Sequence, residues 1–279
     1  MIKIIGSSRS KFSRAALPSV VALLAGVVLT GLAASPAAWA GGSKIACDAA
    51  GPQAPRDVTQ LTGRNAISFD KAPPAADLNL CDIHFHRFAE HRASGYLKLA
   101  GKGKNRGYIC NGSAPETRHG KAEGHEAGSS GCRGIAAGDT VEVHWVYTTC
   151  DVKPGPTLGS CFTNTCKTPQ LRVEARVFNL SDDVTAGDFG KYTDYASGTA
   201  YLPKAIMAVT YPGSTTGDGY NDGTCSPFKV TWNVSSQCTP LSLKSINVWC
   251  GKDKNAFKED HAHGVRTVVS DPKLLSSIK

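Results

Sequence analysis

Asp82-Ile83-His84-Phe85-His86 alternates polar and apolar side chains, which is the period of a β-strand with one face turned to a core. Asp82, His84 and His86 then share the other face, and the two histidines sit about 6 to 7 Å apart along the backbone, so both imidazoles can converge on one ion. A solvent-facing strand would also present His-x-His, so this pair alone does not decide between a metal site and an ordinary polar face. Thr140-Val141-Glu142-Val143-His144-Trp145-Val146-Tyr147 alternates in the same way and sets Glu142 beside His144 on one face of a second strand. Three neutral imidazoles leave the fourth tetrahedral position of a zinc ion open, the arrangement of a catalytic rather than a closed structural site. Asp82 and Glu142 each precede a histidine by two residues and can fix its tautomer by accepting its other N–H. The donors favour Zn2+, although Co2+ or another divalent ion would accept the same nitrogens.

The strand period recurs at Gln170 to Phe178, at Phe228 to Val234 and over the shorter run Ala205 to Tyr211, while sustained helical spacing is scarce. Residues 111–134, rich in Gly, Ser, Lys and Glu between Cys110 and Cys132, read as one long loop. Residues 41–78 carry scattered Gly, Pro and Ala and are expected to lie over a domain surface, with Cys47 available to tie them down. The expected fold is mainly β: a single domain over 41–279 with a central β-sheet, long loops and few short helices.

Residues 1–40 read as a cleaved export signal. Lys3, Arg9, Lys11 and Arg14 precede an apolar run from Ala15 to Leu32, and Ala38-Trp39-Ala40 offers small residues for cleavage. A retained anchor is the competing reading, opposed by Pro18 inside the run. After cleavage no stable membrane span is expected, and the destination is the periplasm or the exterior. Losing four basic and no acidic residues takes the formal charge from +8 to about +4, which gives no reason to expect a nucleic-acid partner. About 239 residues remain, enough for one large β-rich core. All ten cysteines lie beyond residue 40, so as many as five disulfides are expected, with their pairing open. Cys161-x4-Cys166 lacks the second pair that a cysteine-ligated zinc site needs.

His84-Phe85-His86-Arg87-Phe88-Ala89-Glu90-His91, with the preceding Asn79-Leu80-Cys81-Asp82-Ile83, resembles the delta-class carbonic anhydrases, whose signature is His-Phe-His followed shortly by Ala-Glu-His. Glu142-Val143-His144-Trp145 is similar to the alpha-class segment that supplies the third zinc ligand. Tyr211-Pro212-Gly213-Ser214-Thr215-Thr216 and Val230-Thr231-Trp232 resemble the alpha-class Tyr-Pro-Gly-Ser-Leu-Thr-Thr loop and the strand after it. The matches run in the expected order over roughly residues 80–235.

The resemblance implies an alpha-carbonic-anhydrase-like domain and reversible hydration of carbon dioxide to bicarbonate and a proton (a carbonate dehydratase). It implies zinc held by His84, His86 and His144, with carbon dioxide and bicarbonate as partners and no organic cofactor. It further implies that Thr215 accepts a hydrogen bond from the hydroxide at the metal and passes one to Glu90, and that His91 supports the site from behind the ligands. The alpha-class Leu before Thr-Thr is missing here, so the contacting threonine is Thr215 or Thr216. Gly217-Asp218 stands where the alpha class has Pro-Pro, and Tyr220 to Cys225 forms an added loop. No position matches the alpha-class proton-shuttle histidine; His119, His125, His261 and His263 lie in polar stretches that leave each a candidate. Two rival functions use the same residues: a zinc hydrolase, opposed by the absence of His-Glu-x-x-His, and a non-catalytic carbonic-anhydrase-like binding module.

Overall fold

The computed structural model describes residues 46–279 except 103–105, 114–130, 184, 195–201, 216–218, 222 and 252–254. The expected signal segment, His119, His125, Thr216, Gly217-Asp218 and most of the 111–134 loop lie outside the described residues. The chain divides into residues 1–37 and 38–279, and the described residues all belong to the second unit.

Five strands form the central sheet: β1 (Asn79–Arg87), β4 (Thr140–Thr148), β5 (Gln170–Ser181), β6 (Val209–Pro212) and β7 (Lys229–Ser242). Their order is β1-β4-β5-β7-β6; β5 and β7 are parallel and the other neighbours antiparallel. A small hairpin pairs β2 (Lys98–Ala100) with β3 (Gly107–Ile109). Among the described residues the α-helices are two, α1 (Phe189–Tyr192) and α2 (Leu243–Cys250). The mainly β expectation, with a central sheet and few short helices, is met.

Alternation along the strands sorts the side chains into two layers. One face carries Ile83, Phe85, Val141, Val143, Trp145 and Phe178 into a core closed by Ile246 and Trp249 of α2 and by Phe189 of α1. The other carries Val146, Val173, Ala175, Val177, Trp232 and Val234, and the histidines of β1 and β4 belong to it. Ser242 caps α2 by accepting from Ser245 N, which explains how β7 turns into a helix without an intervening loop.

Two sequence expectations need correction. The run Ala205 to Tyr211 pairs only from Val209, because the chain turns at Ile206-Met207, where Met207 has φ +50°. The segment after Cys47 does not merely lie over the surface: Ala50, Gln53, Ala54, Arg56 and Val58 are all buried. All ten cysteines pair, as Cys47–Cys225, Cys81–Cys161, Cys110–Cys238, Cys132–Cys250 and Cys150–Cys166, so neither Cys161 nor Cys166 is open to a metal.

Candidate metal centre

The antiparallel register of β1 and β4 sets His84 opposite His144 and His86 opposite Glu142. The rings of His84, His86 and His144 consequently meet, with centroids 5.1, 5.1 and 4.8 Å apart, and one nitrogen from each lies within 4.8 Å of the others. The opposite nitrogens are all engaged. His84 Nδ1 donates to Asp82 at 2.8 Å, His86 Nδ1 to the Gly264 carbonyl at 2.7 Å, and His144 Nε2 to Glu142 at 2.9 Å. Those bonds fix the tautomers, leaving lone pairs on Nε2 of His84, Nε2 of His86 and Nδ1 of His144. His84 Nε2 and His144 Nδ1 face each other at 3.2 Å. Two facing lone pairs repel unless a cation or proton lies between them, and the spacing is close to the roughly 3.3 Å separating two nitrogens about 2.05 Å from one tetrahedral zinc. The donor set therefore fits a three-histidine metal site.

Behind it, Glu142 is fully buried and accepts four hydrogen bonds: from His144 Nε2, from His91 Nδ1 at 2.6 Å, and from the backbone N–H groups of Glu90 and His91 at 2.7 and 3.1 Å. The chain reaches this position because Phe88 takes φ +72° and turns the segment after β1 back beneath β4. His91 Nε2 accepts from Tyr211 Oη at 2.8 Å, and the Arg56 guanidinium stacks over the Tyr211 ring at 5.5 Å.

The electrostatics separate the three imidazoles. Burial disfavours the charged form of His84, but the Asp82 carboxylate overrides it and raises the pKa to about 9. Burial, together with the charges of His144 and His84, holds His86 well below the usual imidazole value. Burial takes His144 to about 4 even with Glu142 beside it. Without an ion, a single proton on His84 relieves the lone-pair conflict. Glu142 is a carboxylate held well below the ordinary range: its own burial opposes this, and His91 and His144 overcome it. Burial and the nearby Glu142 charge push Glu90 up to about 7.

The structure does not join Thr215 to Glu90. Gly213 presses against Tyr211 and Ala54 so closely that a Cβ there would come within 2.7 Å of the Tyr211 ring, and Ser214 N donates to the Pro52 carbonyl at 2.6 Å. This docking leaves the Thr215 hydroxyl against the Ala54 carbonyl, with Arg266 Nη1 donating to it at 2.5 Å. Glu90 instead accepts from Arg266 N at 2.8 Å and lies 3.6 Å from His86 Nδ1.

Sequence reasoning named His261 and His263 as shuttle candidates but did not foresee that residues 259–266 pack against β1. His263 pairs through its backbone with Phe85 and Arg87, which brings its ring 5.7 Å from that of His84 and 5.9 Å from that of His86. Glu259 holds His263 Nε2, and the ring of the half-exposed His261 lies tilted against that of His263, 5.0 Å away between centroids. Gly264 supplies the carbonyl that orients His86. No local signal could have revealed these contacts, which span more than 170 residues.

Compared with known families, residues 75–245 match the profile described as Delta carbonic anhydrase. None of the curated proteins matches. Among solved structures, a halotolerant carbonic anhydrase from Dunaliella salina is similar at 16% identity and TM-score 0.29, over 67% of this chain and 56% of that one, little more than half its length. The alpha-carbonic anhydrase from Thermovibrio ammonificans (12%, TM-score 0.31, 74% and 82% covered) and a fungal alpha carbonic anhydrase from Aspergillus oryzae (14%, TM-score 0.31, 76% and 81% covered) are similar at comparable levels. Likenesses this low carry nothing further. The family match covers more than half of the 279 residues, and the chain belongs to the delta carbonic anhydrases.

Proposed function

We propose that this protein is a zinc-dependent carbonic anhydrase that interconverts carbon dioxide and bicarbonate outside the cytoplasm. The observation that carries the reading is the convergence of three imidazole lone pairs, each ring held by its own acceptor at the back. His84 and His86 would hold the ion through Nε2 and His144 through Nδ1. When bound, zinc supplies the Lewis acidity that makes a water nucleophilic near neutral pH, the chemistry that hydration of carbon dioxide requires. Glu142, fixed by four donors, keeps His144 in the one tautomer that presents Nδ1. Asp82 does the same for His84.

Glu90 is the carboxylate that receives the hydrogen of a threonine hydroxyl and so orients the nucleophile's remaining lone pair. Because the Thr215 hydroxyl is already committed to Ala54 and Arg266, we assign that hydroxyl to the adjoining Thr216. The five disulfides suit an oxidising compartment, and among the described residues no helix is long and apolar enough to cross a membrane.

The test is stopped-flow carbon dioxide hydration by the exported protein, with zinc content measured on the same sample. Zinc-dependent turnover that His144→Ala abolishes along with bound zinc supports the reading. A folded, oxidised, zinc-loaded sample without turnover overturns it. Thr216→Ala is expected to lower kcat by about a hundredfold, the scale of losing one oriented hydrogen bond at a reacting group, and Thr215→Ala by far less. The reverse order returns the role to Thr215.

A further inference from the structure

Among the described residues, seven large apolar side chains stand exposed, and four of them fall on two neighbouring segments: Leu97 (43%) and Leu99 (39%) on the β2–β3 hairpin, Ile206 (40%) and Met207 (68%) at the turn before β6. The side chain of Gln237 joins the segments, donating to Ser94 Oγ at 2.9 Å and approaching the Met207 thioether at 3.8 Å. Gly95 N and the Ser236 hydroxyl bind the same short stretch of β7 to both sides. The turn is unusual in its chemistry. Met207 holds φ +50°, a conformation that Gly or Asn adopts at least cost, yet the position carries the most exposed large apolar side chain of the set.

The charges on these two segments have one sign. Lys98, Lys102, Arg106 and Lys204 are exposed on the same segments, and residues 97–109 and 202–210 contain no Asp or Glu. Exposed apolar side chains on segments that also carry exposed cations and no acid suit a surface that is apolar within and anionic outside. A second copy of the same face suits them poorly, because a two-fold contact would bring the cations together unpaired. We propose that this face docks the enzyme peripherally on an anionic lipid bilayer, with Leu97, Leu99, Ile206 and Met207 entering the headgroup boundary and the four cations binding lipid phosphates.

The test is co-sedimentation of the exported protein with vesicles of phosphatidylcholine alone and of phosphatidylcholine with one-third phosphatidylglycerol, at low and high salt. Wild type and variants share the same N-terminal segment ahead of residue 46, so any contribution from it is common to both. Retention is expected on the anionic vesicles only and is expected to fade at high salt. Leu97→Ser with Ile206→Ser and Met207→Ser should weaken it by tenfold or more, and Lys98→Gln or Lys204→Gln by about fivefold each. All these side chains are exposed and none belongs to the metal centre, so melting temperature and hydration in free solution should not change. No retention on anionic vesicles, or equal retention of wild type and the apolar triple variant, overturns the proposal. So does a concentration-dependent dimer that the triple variant abolishes without any vesicle binding.

Discussion

At the scale of single residues, the candidate metal centre is a problem in proton placement. Two imidazole nitrogens 3.2 Å apart need a positive charge between them, and in the metal-free protein His84, its pKa raised to about 9 by Asp82 after burial is overcome, provides it. A raised pKa means that this proton stabilises the fold fully below pH 6.5, and that the contribution is lost as pH climbs through about 9. An entering ion must displace the same proton. Zinc uptake at pH 6 should therefore release about one proton, and apparent affinity should rise about tenfold per pH unit until pH 9. His86 and His144, both held below their usual value, contribute no further proton in that range. Calorimetry in buffers of different protonation enthalpy measures the release; a value near zero would mean that His84 enters the reaction already neutral. The convergence of His84, His86 and His144 and the acceptors Asp82 and Glu142 were legible in the sequence because all lie on two strands with a period of two. Arg266 and Gly264 were not, since they reach Glu90 and His86 only through tertiary contacts.

At the scale of elements, strand identity followed from alternation, whereas strand ends did not. β7 continues well past Val234 because the register with β5 shifts between Ala175 and Val177 and then resumes at Cys238, a bulge that Ser235-Ser236-Gln237 conceals from a period-two reading. The segment 259–266 is a stronger case. It lacks alternation, yet it runs parallel to the edge of β1 and places His263 between the rings of His84 and His86 and the half-exposed His261. Glu259, itself fixed by Phe85 N, orients His263 as a carboxylate orients a catalytic imidazole. Among the described residues, His263 and His261 lead outward from the rings of His84 and His86, a route for a departing proton that mutation can test. His263→Ala should lower kcat about tenfold or more in weak buffer, leave kcat/KM nearly unchanged, and recover when imidazole is added. Unchanged turnover in weak buffer would leave the proton to solvent alone.

At the scale of the whole molecule, the two ends of the described chain close around the back of the site. Arg56 is completely buried, donates to the carbonyls of Gln60 and Ser276, and lies over Tyr211, whose hydroxyl supports His91 and through it Glu142 and His144. Gln53 N reaches Leu274 at 2.7 Å, and Ile278 N reaches Leu61 at 2.8 Å, while Cys47–Cys225 ties the same N-terminal segment to the loop beyond Thr215. A buried guanidinium that loses a carbonyl partner and its covering chain must be resolvated or left unpaired, at a cost of about 1–3 kcal/mol or more. Removing residues 272–279 takes away the Ser276 carbonyl, the Leu274 and Leu275 side chains buried beside Val269 and Cys225, and the contacts that press residues 50–64 inward. The expected outcome is a melting temperature lowered by several degrees and, because Tyr211 loses the cation fixed against its ring, weaker zinc retention in a chelator competition. Replacing Arg56 by Met in the full-length chain removes the charge while keeping the C-terminal segment. If zinc retention falls in the truncated chain but not in Arg56→Met, the C-terminus acts through packing alone; if it falls in both, the charge over Tyr211 is the link between chain end and metal. A truncated chain with unchanged melting temperature and zinc retention would show that the ends do not support the site.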